Sequence, residues 1–173
     1  MHLHLPSLLA FLPFIHSALA QEAIPPGPVK VQVYLHDNSF DTSKPCTSNR
    51  PHGCLTHHGT WNEQGQDCAI FTSDGAGALR TEGKLLSLDA EKVLHNSDNL
   101  FDLLWYRNDI RFAKVPKDFL YLADPETNRA YGPFWYGSSK KSDDGSELRA
   151  QPSQEFPRGT YGLCFEGVDR DEL

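Results

Sequence analysis

The densest group of potential metal ligands and proton carriers is His52-Gly-Cys54-Leu-Thr-His57-His58, with imidazoles on both sides of a thiol. Zinc is held by such groups when the cysteine is a thiolate and the histidines can converge. Neither condition is expected here. An oxidising compartment, argued below, places Cys54 in a disulfide, and adjacent His57 and His58 on extended backbone point to opposite faces. Solvated loop histidines are the main reading, and a histidine-only site that recruits His36 is the alternative. No metal and no other cofactor is assigned.

A second chemistry is hydrolytic. Secreted nucleases pair a histidine with a glutamate or second histidine for proton transfer and use an arginine to hold phosphate. His36, His57, His95, Glu63, Glu82 and Arg80 supply those types. The chain carries no Gly-x-Ser-x-Gly elbow, no His-Glu-x-x-His and no phosphate-binding loop, so the common hydrolase and nucleotide signatures are missing. A ribonuclease-like enzyme is therefore kept as the alternative function, with no catalytic residue assigned.

The third feature is aromatic. Phe101, Trp105, Tyr106, Phe112, Phe119, Tyr121, Tyr131, Phe134, Trp135 and Tyr136 crowd into one part of the chain. Most must fill a core, since each buries ~150–250 Å². Side chains alternate along a strand, so one member of Trp105/Tyr106 and one of Trp135/Tyr136 should face outward, where a ring can stack on a sugar or a partner. Trp61, in the histidine-rich loop, is a further exposed candidate. Binding residues are accordingly expected among Trp61, Trp105, Tyr106, Trp135 and Tyr136.

These groups must be placed by one small body. The chain has 173 residues, 39% hydrophobic and 23% charged, which suits a single domain and leaves no room for a second core. Its net charge of −7 argues against general binding to nucleic acid or anionic lipid.

Leu8 to Ile15 form an apolar block followed by Ser17-Ala-Leu-Ala20, the pattern of a secretory signal peptide cut after Ala20. The domain is then residues 21–173. Its four cysteines, Cys46, Cys54, Cys68 and Cys164, imply two disulfides. Three connectivities are possible, of which 46–54 with 68–164 is preferred because Cys46 and Cys54 share one loop. The last residues, Arg170, Asp171, Glu172 and Leu173, resemble an endoplasmic-reticulum retrieval tail that a receptor would read. Secretion and retention in the lumen both stay open. No Asn-x-Ser/Thr sequon is present, so no N-glycan is expected to cover the surface.

The elements read as mainly β. Val29 to Leu35 alternates apolar and polar residues with period 2, and His36-Asp-Asn-Ser39 stops it. Phe40 to Gly53 is a long loop. Strands are expected at Ala69–Thr72, and at Ala78–Thr81 with Lys84–Leu88 as a hairpin around Glu82-Gly83. Ser87–His95 fits either a strand or a short helix. Leu103–Tyr106, Ile110–Ala113 and Phe119–Ala123 follow, and Tyr131–Tyr136 returns as a hairpin partner with Pro133 at an edge or bulge. Ser138 to Pro152 shows no apolar period and reads as an exposed polar loop. Gly159–Phe165 closes a mainly β fold of about eight to ten strands, an antiparallel sandwich or small barrel stapled by two disulfides.

The run Cys68-Ala-Ile-Phe-Thr-Ser-Asp-Gly-Ala-Gly-Ala-Leu-Arg80, with the leader and the late Cys164, resembles small secreted fungal cell-wall proteins of the phialide type. The resemblance implies a non-enzymatic wall or secreted protein and carries over no functional residue. The expected function is binding, either to cell-wall polysaccharide or to a protein partner, with no nucleic acid and no membrane.

Overall fold

The period-2 run becomes the central strand. After a short β1 (Glu22–Ala23), β2 spans Gly27–Leu35, with Val29, Val31 and Val33 buried on one face. The computed structural model describes residues 22–98, 103–108, 115–116, 118–127, 129–142, 145–151, 158–169 and 171. The expected strand Ile110–Ala113, the leader through Ala20, and Arg170, Glu172 and Leu173 of the tail lie outside them. The other strands are β3 (Cys54–Leu55), β4 (Trp61–Asn62), β5 (Phe71–Ser73), β6 (Leu79–Thr81), β7 (Lys84–Leu88), β8 (Leu94–Ser97) and β9 (Leu104–Arg107). They continue as β10 (Leu120–Ala123), β11 (Ala130–Tyr131), β12 (Phe134–Ser142), β13 (Gly145–Gln151) and β14 (Tyr161–Gly167).

Six of these strands close on themselves. The hydrogen-bonded order β14-β12-β13-β4-β3-β2 returns to its start through β14 and β2, whose register runs from Tyr161↔Leu35 to Gly167↔Val29. The result is an antiparallel barrel with additional strands, an architecture that leaves no open edge within the ring. The valines of β2 join Leu55, Trp61, Trp135, Leu148 and Leu163 in one buried cluster.

Two additions hang on the barrel. β5 pairs with the start of β2 and leads the meander β5-β6-β7-β8. A second sheet, β1-β9-β10-β11, is buried on both faces of β10. Leu120 and Leu122 enter the main cluster, whereas Phe119, Tyr121 and Ala123 pack with Tyr34, Phe134, Cys46 and Cys164 in a second one. Gly162 permits that contact: a Cβ there would lie 2.2 Å from the Phe119 ring.

Local chemistry explains the turns. Thr81 pairs with Lys84 across Glu82 and Gly83, at φ of 52° and 80°, the left-handed pair that a two-residue hairpin requires. The segment Ser87–His95 resolves in favour of strand. Asp89 Oδ1 accepts the N–H groups of Glu91 and Val93, and this Asx turn joins β7 to β8 where a helix cap was the alternative.

Three expectations are corrected. The polar stretch Ser138–Pro152 is not an exposed loop through its described part, because β12 and β13 make a long hairpin from Phe134↔Gln151 to Ser142↔Gly145. Cross-strand hydrogen bonding and the buried Leu148 outweigh its polar composition. Tyr131–Tyr136 is not one hairpin strand: Tyr131 pairs with Leu122 in the small sheet, the chain turns at Gly132-Pro133, and Phe134 starts a barrel strand.

The third correction is the cysteine pairing. The disulfides are Cys46–Cys164 and Cys54–Cys68, not 46–54 and 68–164. Cys164 faces the second cluster from β14, where Cys46 is fully buried beneath the small sheet. Cys68 is held beside Cys54 because the next residue, Ala69, donates its N–H to the Leu55 carbonyl. Proximity along the chain lost to register across the barrel.

Candidate functional site

The three tryptophans expected at a binding surface are structural. Trp105 and Trp135 are fully buried and stack with ring centroids 5.9 Å apart, and Trp105 Nε1 donates to the Leu86 carbonyl at 2.8 Å. Trp61 lies on β4 and not in an exposed loop. Its Nε1 donates to the His52 carbonyl at 2.9 Å, and its ring packs 4.5 Å from that of Tyr161. None of the three presents a face to a ligand. Tyr106 is half-buried against Tyr121, and burial pushes its phenol pKa up. Tyr136 is different. At 42% exposure it is the one exposed large hydrophobic side chain among the described residues. Trp105 and Trp135 both enter the main cluster, whereas Tyr106 packs against the second cluster and only Tyr136 reaches the surface.

Tyr136 has charged neighbours. Arg149 is its cross-strand partner on β13, so both side chains stand on the same face. The Arg149 guanidinium lies 3.7 Å from the Glu91 carboxylate, with both groups exposed. The Asp89 turn that holds Glu91 also places Lys92, at φ 65°, beside β13, where its carbonyl accepts the N–H of Ala150. Lys92 Nζ sits 5.2 Å from the centroid of the Tyr131 ring, and the Arg129 guanidinium is 5.3 Å from the same centroid. A continuous run thus leads from Tyr136 through Arg149, Glu91 and Lys92 to Tyr131 and Arg129.

Sequence reasoning missed the charged members of this run. Arg149 fell in the stretch read as loop, although the order Glu147-Leu-Arg-Ala150 does alternate polar with apolar residues. Lys92 fell in the segment left between strand and helix. Tyr131 was counted with the aromatics but given no binding role.

The proton-transfer candidates are placed as follows. His57 and His58 are exposed in the turn closed by Gly59 N–H to Thr56 O, with their rings 3.9 Å apart, so they do not point to opposite faces. Asn96 binds both of their carbonyls, which brings this turn against β8. The His95 ring faces Asp89 instead, at 3.9 Å. His36 packs edge-on against Phe40, and Arg80 reaches back to the Gly83 carbonyl. Glu63 is exposed and helps raise the pKa of Tyr161, after the larger effect of burial. Among the described residues, one set of three metal-donor atoms lies within 4.8 Å: Cys46, Asp118 and Cys164. Both sulfurs are joined in the disulfide, so no thiolate is available there.

That region is held by a carboxylate. Asp118 Oδ2 accepts the Cys46 N–H at 2.7 Å. Tyr34, 2% exposed in the same cluster, has its pKa pushed up to about 12 by burial, then by the negative charges of Glu166 and Asp118.

The chain is thus a small disulfide-stapled antiparallel β-barrel with an aromatic and cationic run on its surface. Comparison with protein-family models, with characterised proteins and with solved structures gives no match. Among the described residues no helix is long and apolar enough to cross a membrane.

Proposed function

We propose that this protein acts by binding, in the secretory pathway or outside the cell, and that its ligand is a cell-wall polysaccharide stacked on Tyr136. The observation that carries the reading is the exposure of this one ring where the other large aromatics of the described fold are buried or partly buried. A phenol ring presents a flat apolar face to the C–H face of a sugar and a hydroxyl to its oxygens. The two disulfides fit an oxidising compartment, and the resemblance to wall proteins of the phialide type points the same way. The retrieval-like tail makes the endoplasmic-reticulum lumen the alternative address.

A glycan array tests the proposal. The wild-type protein should bind a polysaccharide, and Tyr136→Ala should weaken that binding by about 1–2 kcal/mol, roughly 5- to 30-fold, as for an anchor aromatic at an interface. Tyr136 is exposed on a barrel wall, so the substitution should leave the melting temperature within about 2 °C of wild type. Undiminished binding by a folded Tyr136→Ala protein would refute the assignment.

A further inference from the structure

The two bridges differ in what a reductant can reach, and the more accessible one sits at the thinnest part of the barrel wall. We infer that Cys54–Cys68 is a redox-sensitive lock: a dithiol that reduces it opens the wall between β4 and β13, while Cys46–Cys164 keeps the rest of the fold closed. The inference goes beyond the binding reading and depends on neither the ligand nor Tyr136.

Three observations carry it. First, exposure separates the bridges. Cys46 and Cys164 are 0% and 1% exposed, whereas Cys68 is half-buried at the end of residues 63–67, all of them exposed. A disulfide exchanges only when a thiolate reaches one of its sulfurs, so exposed bridges are the labile ones. Second, the ring is thin beside this bridge. The seam of β14 with β2 runs from Tyr161↔Leu35 to Gly167↔Val29, and that of β12 with β13 from Phe134↔Gln151 to Ser142↔Gly145. Among the described residues β4 meets β13 through one register pair, Ser146↔Trp61. Third, the bridge ties down this side of the ring. Beyond β4 the chain leaves through the exposed turn and is returned to β3 by Cys54–Cys68 and by the Ala69 N–H donating to the Leu55 carbonyl at 2.9 Å.

Reduction transfers two electrons. One thiolate of the dithiol attacks Cys68 Sγ, the S–S bond breaks, and Cys54 Sγ leaves with the electron pair and takes up a proton. The second thiolate of the reductant attacks the reductant's own sulfur in the mixed disulfide, which frees Cys68 and closes the reductant into a disulfide. The turn then no longer restrains the outer end of β4, and Leu55 and Trp61 of the main cluster lose cover on that side. Linkage sets the selectivity. A bridge that stabilises the fold less is held less tightly by the fold in return, and closing 14 residues restrains the unfolded chain less than closing 118.

Graded dithiothreitol on the full-length protein, followed by maleimide labelling and peptide mass mapping, reads which bridge opens. Cys54 and Cys68 should take label at roughly tenfold lower reductant than Cys46 and Cys164. Hydrogen exchange at that reductant level should speed by about tenfold at Trp61, Asn62 and Ser146 and stay unchanged along residues 29–35 and 161–167. The Cys54→Ser/Cys68→Ser variant should show the same pattern without reductant; if it does not fold, selective reduction of the wild type decides alone. Opening of both bridges together, or of Cys46–Cys164 first, overturns the inference. Unchanged exchange at Trp61 and Ser146 after Cys54 and Cys68 are reduced also overturns it, since the bridge then has no part in closing the wall. Loss of protection in every strand on selective reduction does the same, because the bridge would then hold the whole fold and not one seam.

Discussion

Gly162 and Phe119 provide the sharpest test of how the small sheet is seated on the barrel. Gly162 pairs with Tyr34 on one side and Phe134 on the other, and the Phe119 ring lies directly over it. In Gly162→Ala the new methyl would stand 2.2, 2.3 and 2.8 Å from three ring carbons. Ordinary contact begins at 3.4 Å, so the ring must withdraw by 1.2 Å. It has nowhere to go, since Phe119 is fully buried and touches Phe40, with centroids 5.8 Å apart, in a cluster with Tyr34 and Tyr121. Overpacking of this kind costs about 1–3 kcal/mol. In a domain of this size, 2 kcal/mol lowers the melting temperature by roughly 4–8 °C. Phe119→Ala alone should cost about 3–5 kcal/mol through the cavity it leaves. The double variant should be no less stable than Phe119→Ala, because the methyl then occupies vacated space, a favourable coupling of about 1–3 kcal/mol. Urea unfolding followed by tryptophan fluorescence measures all four corners of the cycle. Additive losses, or a Gly162→Ala protein as stable as wild type, would show that the ring does not rest on this backbone.

Two further outcomes concern the staples and the buried phenol. The Cys46–Cys164 bridge spans 118 residues and Cys54–Cys68 spans 14; chain entropy assigns them about 5 and about 3 kcal/mol, so replacing the first pair with serines should lower stability by roughly 2 kcal/mol more than replacing the second, as read from urea midpoints. Tyr34 has its pKa raised from 10.0 to about 12. A raised folded-state value means that its contribution is complete below pH 10 and is lost as pH climbs toward 12. Wild-type stability should therefore fall over that window, and Tyr34→Phe should flatten part of the decline; Tyr106 and Tyr161, also raised by burial, add to it in the same direction. An identical alkaline limb in Tyr34→Phe would contradict the burial of that hydroxyl.

Legibility in the sequence tracked how strongly each segment's local pattern agreed with its final surroundings. The valines of β2 alternate because one face meets the barrel core, and Gly83 announces its turn because glycine accepts the left-handed conformation without a Cβ clash. The β12–β13 hairpin was invisible because its polar residues dilute the apolar alternation, which survives only at Leu148 and Ala150. Trp61, Trp105 and Trp135 were legible as residues of consequence but not as interior ones. Which of two neighbouring aromatics faces inward depends on partners far along the chain. The same holds for the cysteines: their number implied two bridges, but the pairing follows from how β14 registers with β2. The cationic run escaped for a related reason, since Lys92, Arg129 and Arg149 belong to separate elements.

The seam between β2 and β14 also governs when the protein can be finished. Translation proceeds at ~5–20 residues per second, so the partner of Cys46 emerges roughly 6–24 s after it. During that interval Cys54 and Cys68 are the other thiols already made. Cys54 and Cys68 can form their own bridge before then, but Cys46 has no native partner until β14 is made, and a chain that stops short of β14 has an open ring and an unpaired Cys46. Every such product is an unclosed cylinder with its oily lining on view.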